Sequence, residues 1–385
     1  MKKNLRKITA MLSALLLTVS LASCSGSGSG SGTVSDGSGS GSQTGSQTQT
    51  KEKLKLVLTV TRINDMSFFQ SAYDGSQRIK SELSDYYDVE VVEMGNDSTA
   101  WESAIYDVCE SGADIVVGVS FRTVENFKKI PPEYPNIKFI LMDEAVDFST
   151  LDLPNLLCVT FKSNESGFLA GAVAGCYTSM DKANPEKLVG FVGGSEAVTV
   201  TNFLVGYAEG VHYVDPDVNV LTAYVGDYVD TAKAKDLANA QIAEGVDIIF
   251  QVAGGAGNGV IEAASESEGT LAIGVDSDQY QVMAGTSLQD CISTSSLKRV
   301  DNALFKIAEQ YAKNPDSVPF GSVVTFGLED DAVGIVYNDN LTACIGEENV
   351  AKVKELEEKI RSGEIVVSES AVLTADQIAD IVAGK

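Results

Sequence analysis

The residues best suited to chemistry stand where apolar runs end. Asp276-Ser277-Asp278 closes the run 271–275. Two acids alone make a poor cation site, because a hard cation such as calcium takes about six to eight oxygen ligands. They suit solvated loop charges, or recognition of hydroxyls, where a carboxylate accepts paired hydrogen bonds from a sugar diol. Asn64-Asp65-Met66-Ser67-Phe68-Phe69 follows the run 54–60 and puts aromatic rings at the mouth of a cleft. An aromatic face stacks on a planar ligand. At least one of the two phenylalanines is expected in the core. Gly193-Gly194 and Gly254-Gly255-Ala256-Gly257-Asn258-Gly259 each end a strand-like run and open a helical one. A phosphate cradle is the weaker reading, since no Lys-Ser/Thr pair follows and neither loop is a full GxGxxG unit. A tight turn that lets backbone approach a small ligand is favoured.

His212 is the single histidine. A Ser-His-Asp triad, a Cys-His pair or a multi-His metal site has to use it or do without. Cys109, Cys158, Cys176, Cys291 and Cys344 show no CxxC spacing and sit mostly in apolar contexts. They read as buried free thiols behaving as small hydrophobes. No motif asks for a metal or a cofactor.

The elements that must position these residues alternate. Strand patterns fall at 54–60, 89–92, 113–119, 137–142 and 157–161, and again at 187–192, 218–225, 246–252 and 270–275. Helical patterns fall at 68–83, 100–109, 166–179, 198–213 and 231–243, then after Gly257 and over 297–312 and 347–361. Short apolar strands between helices imply parallel sheets covered on both faces. Two such series imply two doubly wound α/β lobes. Ligands in such folds sit beyond the carboxyl ends of the strands, so facing lobes make a cleft that closes by hinge motion. The expected division is lobe one at 52–162 plus 276–320 and lobe two at 163–275 plus 321–385.

The chain has 385 residues, with 28 Lys plus Arg against 54 Asp plus Glu, a net charge of −26. That balance argues against nucleic acid and anionic lipid headgroups as partners, because both need a basic surface. Residues 1–23 have a basic start at Lys2, Lys3, Arg6 and Lys7, then an apolar stretch shorter than a membrane span. This is the layout of a secretory leader. Leu21-Ala22-Ser23-Cys24 resembles a bacterial lipobox, which implies a lipidated Cys24. Eight Gly and nine Ser crowd 25–50. Such a segment cannot bury enough apolar surface to order itself, so 24–51 reads as a lipid-bearing tether of roughly 28 Å average span.

Five segments together resemble the basic-membrane-protein lipoproteins, the substrate-binding proteins of nucleoside-type ABC importers. They are Asn64-Asp65-Met66-Ser67-Phe68, Phe191-Val192-Gly193-Gly194, Gln251 to Gly257, Gly274-Val275-Asp276-Ser277-Asp278-Gln279 and Ser296-Leu297-Lys298-Arg299-Val300-Asp301. The resemblance runs from about Lys53 to Val367. It implies a periplasmic-binding-protein type I fold and a nucleoside, purine foremost, delivered to an ABC permease by a monomeric, lipid-anchored receptor on the outer face of a bacterial membrane. It implies that Phe68 and Tyr228 stack on the base, that Phe203 is a weaker substitute, and that Asp276 and Lys298 hold ribose hydroxyls. Asp65 and Asp143 fall at further ligand-facing positions, and Gly254 lets backbone approach the sugar. Two positions depart from the family pattern. Arg62 stands close to the place of an Asp that reads the base edge, and Phe69 replaces the usual Asn. A same-fold receptor for a sugar, modified nucleoside or signalling molecule is therefore the alternative. An enzyme such as a nucleoside hydrolase would want an acidic metal cluster after the first strand, and none is there.

Overall fold

In the computed structural model, residues 52–180 and 185–385 are described. The expected leader, Cys24 and tether lie outside them. The first βα series is β1 (Leu54–Val60), α1 (Phe68–Glu82), β2 (Tyr87–Glu93), α2 (Trp101–Glu110), β3 (Ile115–Val119), α3 (Val124–Lys129), β4 (Lys138–Met142) and β5 (Leu156–Phe161). The second is α4 (Ser163–Thr178), β6 (Leu188–Gly193), α5 (Val198–Val214), β7 (Asn219–Tyr224), α6 (Thr231–Ala243), β8 (Ile248–Val252), α7 (Asn258–Glu266), β9 (Leu271–Asp276), α8 (Gln279–Val282) and β10 (Ile292–Lys298). The chain ends with α9 (Val300–Lys313), β11 (Ser322–Phe326), β12 (Val333–Ile335), α10 (Asp339–Arg361) and α11 (Ala375–Val382).

These strands build two six-stranded sheets, ordered β11-β5-β4-β3-β1-β2 and β12-β10-β9-β8-β6-β7. All neighbours run parallel except β12, which pairs antiparallel with β10. The central strands β3 and β8 are buried throughout, as their unbroken apolar runs require. The architecture is a type I periplasmic-binding-protein fold.

Helices α4 and α5 pack closely in the second lobe. A Cβ at Gly171 would run into the carbonyl of Tyr207, and one at Gly210 into that of Phe168. The small residues of α4 are thus a contact face that brings two backbones together. The five cysteines 109, 158, 176, 291 and 344 are unpaired, four of them buried and Cys344 half-buried. Burial pushes the Cys158 thiol up to about 11 and that of Cys291 to about 12, which fits inert core thiols. No helix among the described residues is long and apolar enough to cross a membrane.

The sequence reading missed three strands and misplaced two boundaries. Strand β10, expected in lobe one, lies in the second sheet between β9 and β12; β11, expected in lobe two, lies in the first beside β5. The chain crosses between sheets three times, at Lys162, at Arg299 and over 327–332. These crossings are bonded to one another: Lys162 N donates to Phe326 O at 2.9 Å, and Arg299 N to Ala332 O at 2.7 Å. Glu165 accepts from Leu328 N at 2.9 Å, and Lys162 pairs with Glu329 at 3.2 Å. Helix α9 packs on α1, so the segment after β10 returns to the first sheet's side.

Candidate functional site

Setting aside the outer strands β11 and β12, both sheets have the order 2-1-3-4-5, whose topological switch point lies between their first and third strands. The carboxyl ends of the two sheets face each other across a cleft of about 700 Å³, its open mouth included. Arg62, Asp65, Phe68, Phe69, Asp143, Tyr228, Gly254, Asp276 and Lys298 all line it. So does Phe203, which is also part of the core at 1% exposure.

The turn after β1 aims the first ring. Asn64 and Met66 have φ of 65° and 60°, which folds the chain back on itself. The Asp65 carboxylate accepts from Ser67 N, Phe69 N and Gln70 N at 2.9–3.1 Å. It thereby satisfies N–H groups that the first turn of α1 leaves without partners. Asp65 was expected to meet the ligand; its geometry makes it the residue that fixes the turn under Phe68. Phe68 and Phe69 are both half-buried and meet edge to face at 5.4 Å between ring centres. Neither is lost to the core.

A charged cluster occupies the inner wall. Lys298 Nζ lies 2.9 and 3.0 Å from the two oxygens of Asp143 and 3.8 Å from Asp276 Oδ1. Its ammonium also sits 4.6 Å from the centre of the Phe68 ring and 5.4 Å from that of Phe203, within cation–π range. Ser67 donates to Asp276 Oδ2 at 2.5 Å. Asp276 Oδ1 receives no hydrogen bond from any described residue, which leaves acceptor capacity facing the cleft. Burial pushes the Asp276 carboxyl up to about 6, against the pull of Lys298 and the Ser67 hydroxyl. Burial raises Asp143 as well, with the Lys298 ion pair opposing it. Gln279 braces the cluster from behind, donating to Met66 O at 3.1 Å and accepting from Gln251 at 2.6 Å.

A second group of residues lines the other part of the cleft. Tyr228 bonds Ser195 through its hydroxyl at 2.7 Å and meets Phe121 edge to face at 6.2 Å. Burial lifts its phenol to about 12, so it stays protonated at neutral pH. Gly254, with φ of 54°, packs against the Tyr228 ring. Arg62 reaches across from the first lobe to donate to Tyr228 O at 3.3 Å. Arg122 lies over Trp101, 4.7 Å from its ring centre.

Backbone strain concentrates here. Asn64, Met66, Ser120, Asp143 and Asp276 all have positive φ, and each lies at or just after a strand's carboxyl end beside the cleft. Such conformations persist where the surroundings over-determine them, and they cluster at ligand sites. Asn and Asp tolerate them best, because a short polar side chain bonds locally. Sequence reasoning missed Ser67, Ser120, Phe121 and Arg122. The available signal was position alone: 120–122 directly follows β3, on one side of the first sheet's switch point. Among the described residues, no group of His, Cys, Asp and Glu could hold a metal ion.

Two lobes of this order around a charged and aromatic cleft make the fold that solute-binding proteins of ABC transporters have. A solved ABC-transporter solute-binding protein from Aeropyrum pernix K1 superposes with a TM-score of 0.71 at 24% identity, covering 86% of this chain and 98% of that one. Another from Conexibacter woesei gives 0.65 at 22% identity, covering 82% and 99%. Residues 53–371 match the Bmp family, described as ABC transporter substrate-binding protein PnrA-like, and the chain belongs to that family. It is 31% identical over 327 residues to the CD4+ T-cell-stimulating antigen of Listeria monocytogenes, covering 80% of this chain and 85% of that one. It is 29% identical over 306 residues to basic membrane protein A of Borreliella burgdorferi, covering 79% and 84%. The protein is thus a substrate-binding component rather than an enzyme, and its family implies a small ligand and a permease.

Proposed function

We propose that this chain is a lipid-anchored, monomeric receptor that captures nucleosides, purine ones foremost, and presents them to an ABC permease at the outer face of a bacterial membrane. One observation carries the ligand class: the open Asp276 oxygen beside the Asp143–Lys298 pair, under the Phe68 ring. A carboxylate accepts from a diol, the ammonium donates to a remaining oxygen, and the ring offers a stacking face to a flat base. Asp143, Asp276, Lys298 and Ser67 take the ribose; Phe68 and Tyr228 take the base; Gly254 lets backbone come close. The moving bodies are the two sheets with their helices, hinged at the three crossings. The anchor rests on Cys24 after its leader, so Cys24→Ser should move the protein from the membrane fraction to the medium.

A thermal-shift panel of nucleosides, free bases, ribose and hexoses tests the ligand class. Ligand at a hundred times Kd stabilises by about 2.7 kcal/mol, enough to raise Tm by several degrees. Purine nucleosides should raise it while free bases and ribose do not. Arg62 and Phe69 favour a second reading, a receptor for a different small ligand. A shift with a hexose and none with a nucleoside would establish that one instead.

A further inference from the structure

The two lobes touch at two ends of the cleft. One end lies beside the crossings. Ser67 donates to Asp276 Oδ2 at 2.5 Å, Ser277 to Ser67 O at 3.2 Å, and Gln279 to Met66 O at 3.1 Å. A turn further on, Ser71 bonds Asp301 at 3.3 Å, two residues past the crossing at Arg299. The other end is at Tyr228. This residue follows β7, the edge strand of the second sheet and four strands from β10, which leads into that crossing. At about 4.8 Å per strand, the lever arm is roughly 19 Å. A hinge rotation of about 15° therefore moves Tyr228 by roughly 5 Å, but Asp276, one strand from β10, by only about 1 Å.

Two first-lobe side chains meet Tyr228. Phe121 touches its ring edge to face, and Arg62 donates to its carbonyl at 3.3 Å. Among the described residues, Arg62's is the one hydrogen bond that joins the lobes so far from the crossings, and it is the guanidinium's one partner. The acceptor is held in place from its own lobe, because Ala256 N donates to the same carbonyl at 3.1 Å. Gly255 supplies the room. Its φ lies outside the left-handed region, so its backbone does not demand glycine, yet a Cβ there would sit 2.0 Å from Arg62 Nη2.

We infer that Arg62 is a closure latch: it holds the cleft shut by bonding the opposite lobe's backbone, not by touching the ligand, and so sets how long a captured ligand stays. Donor and acceptor both belong to the protein, so the latch forms whatever fills the cleft. A shift of about 5 Å carries the pair beyond hydrogen-bond reach, whereas the bonds beside the crossings need only flex. Arg62 is thus a positioning residue, and a hydrogen bond from a charged group shifts the closing equilibrium by about tenfold or more.

The test is the distance between spin labels on the two lobes of the full chain in detergent, dialysed free of ligand and read by double electron–electron resonance. The labels are carried on a keto amino acid placed at Ser98, beyond β2, and at Asp236 on α6, both exposed. The unaltered protein should show a closed, short-distance population. Arg62→Ala should lower the closed-to-open ratio about tenfold, and so should Gly255→Ala, which displaces the guanidinium from the opposite lobe. A ratio unchanged in both variants, or no closed population in the unaltered protein, would overturn the inference. Stopped-flow dissociation of guanosine, adenosine and uridine adds a second readout. Arg62→Ala should release all three about tenfold faster, by the same factor. Acceleration confined to one base would show Arg62 contacting the ligand and would also overturn the latch. If none of the three binds, the nucleoside reading fails, while the ligand-free distances still decide the latch.

Discussion

Asp276 shows how one residue can be tuned by its surroundings. Its carboxyl ordinarily titrates near 3.8, and burial lifts it to about 6 in the folded chain. Between those values the folded state holds a proton that the unfolded chain has released. Stability from this group therefore falls as pH rises from about 4 to about 6. Diol binding needs the ionised form, so affinity moves the other way, rising across pH 5 to 7. Titrations at pH 5, 6 and 7 should show the tightest binding at 7; affinity that is flat or highest at 5 would contradict the diol role. The site was legible in the sequence wherever a distinctive residue type followed a strand, as with Asp276, Asp143 and Phe68. Arg122 and Phe121 were not, because a short Ser-Phe-Arg stretch has no chemical signature apart from its position. Asp65 lines the cleft, yet its partners are backbone N–H groups of its own turn, which no spacing rule reveals.

At the scale of elements, β10 explains the largest failure of sequence reasoning. Buried parallel strands are recognised by unbroken apolar runs, but Ser293, Thr294, Ser295 and Ser296 are all fully buried in the second sheet. Hydrogen bonds make this tolerable for the first three, while the Ser296 hydroxyl has no partner among the described residues. Ser293 donates to Ala272 O at 3.2 Å, Thr294 to Val336 O at 2.7 Å, and Ser295 accepts from Gln279 N at 3.1 Å. This polar strand delivers Lys298 to the cleft, and missing it moved the expected lobe boundary. Helices were easier, because 3.6-residue periodicity survives in α1, α2 and α9. Their packing was not visible. The glycines of α4 read only as small residues, although they set the distance to α5. Gly171→Val should drive a side chain into the Tyr207 carbonyl and cost about 3 kcal/mol or more, since overpacking typically costs 1–3 and here the obstacle is backbone. Urea unfolding measures it, and a loss under about 1 kcal/mol would show that the two helices are free to separate.

At the scale of the whole molecule, the groups facing the cleft come from both sheets. Ser67 and Asp143 belong to the first, Asp276 and Lys298 to the second, and Arg62 crosses from one to the other. A ligand that bonds this cluster bridges the lobes, and its binding energy acts on hinge closure. The alternation of strands and helices was enough to foresee two lobes and a cleft. The expected division already implied three crossings, but it put the second and third at 275/276 and 320/321 instead of at Arg299 and over 327–332, because segments such as 327–332 carry no periodicity at all. The ribose diol is the central claim, and comparing inosine with 2′,3′-dideoxyinosine tests it most directly. By isothermal titration, inosine should bind at least a hundredfold tighter than the dideoxy analogue, since two hydrogen bonds to charged groups are lost. Asp276→Asn, which tolerates the positive φ at that position, should erase most of that difference while keeping the fold. Equal affinity of the two nucleosides for the unaltered protein would contradict the account.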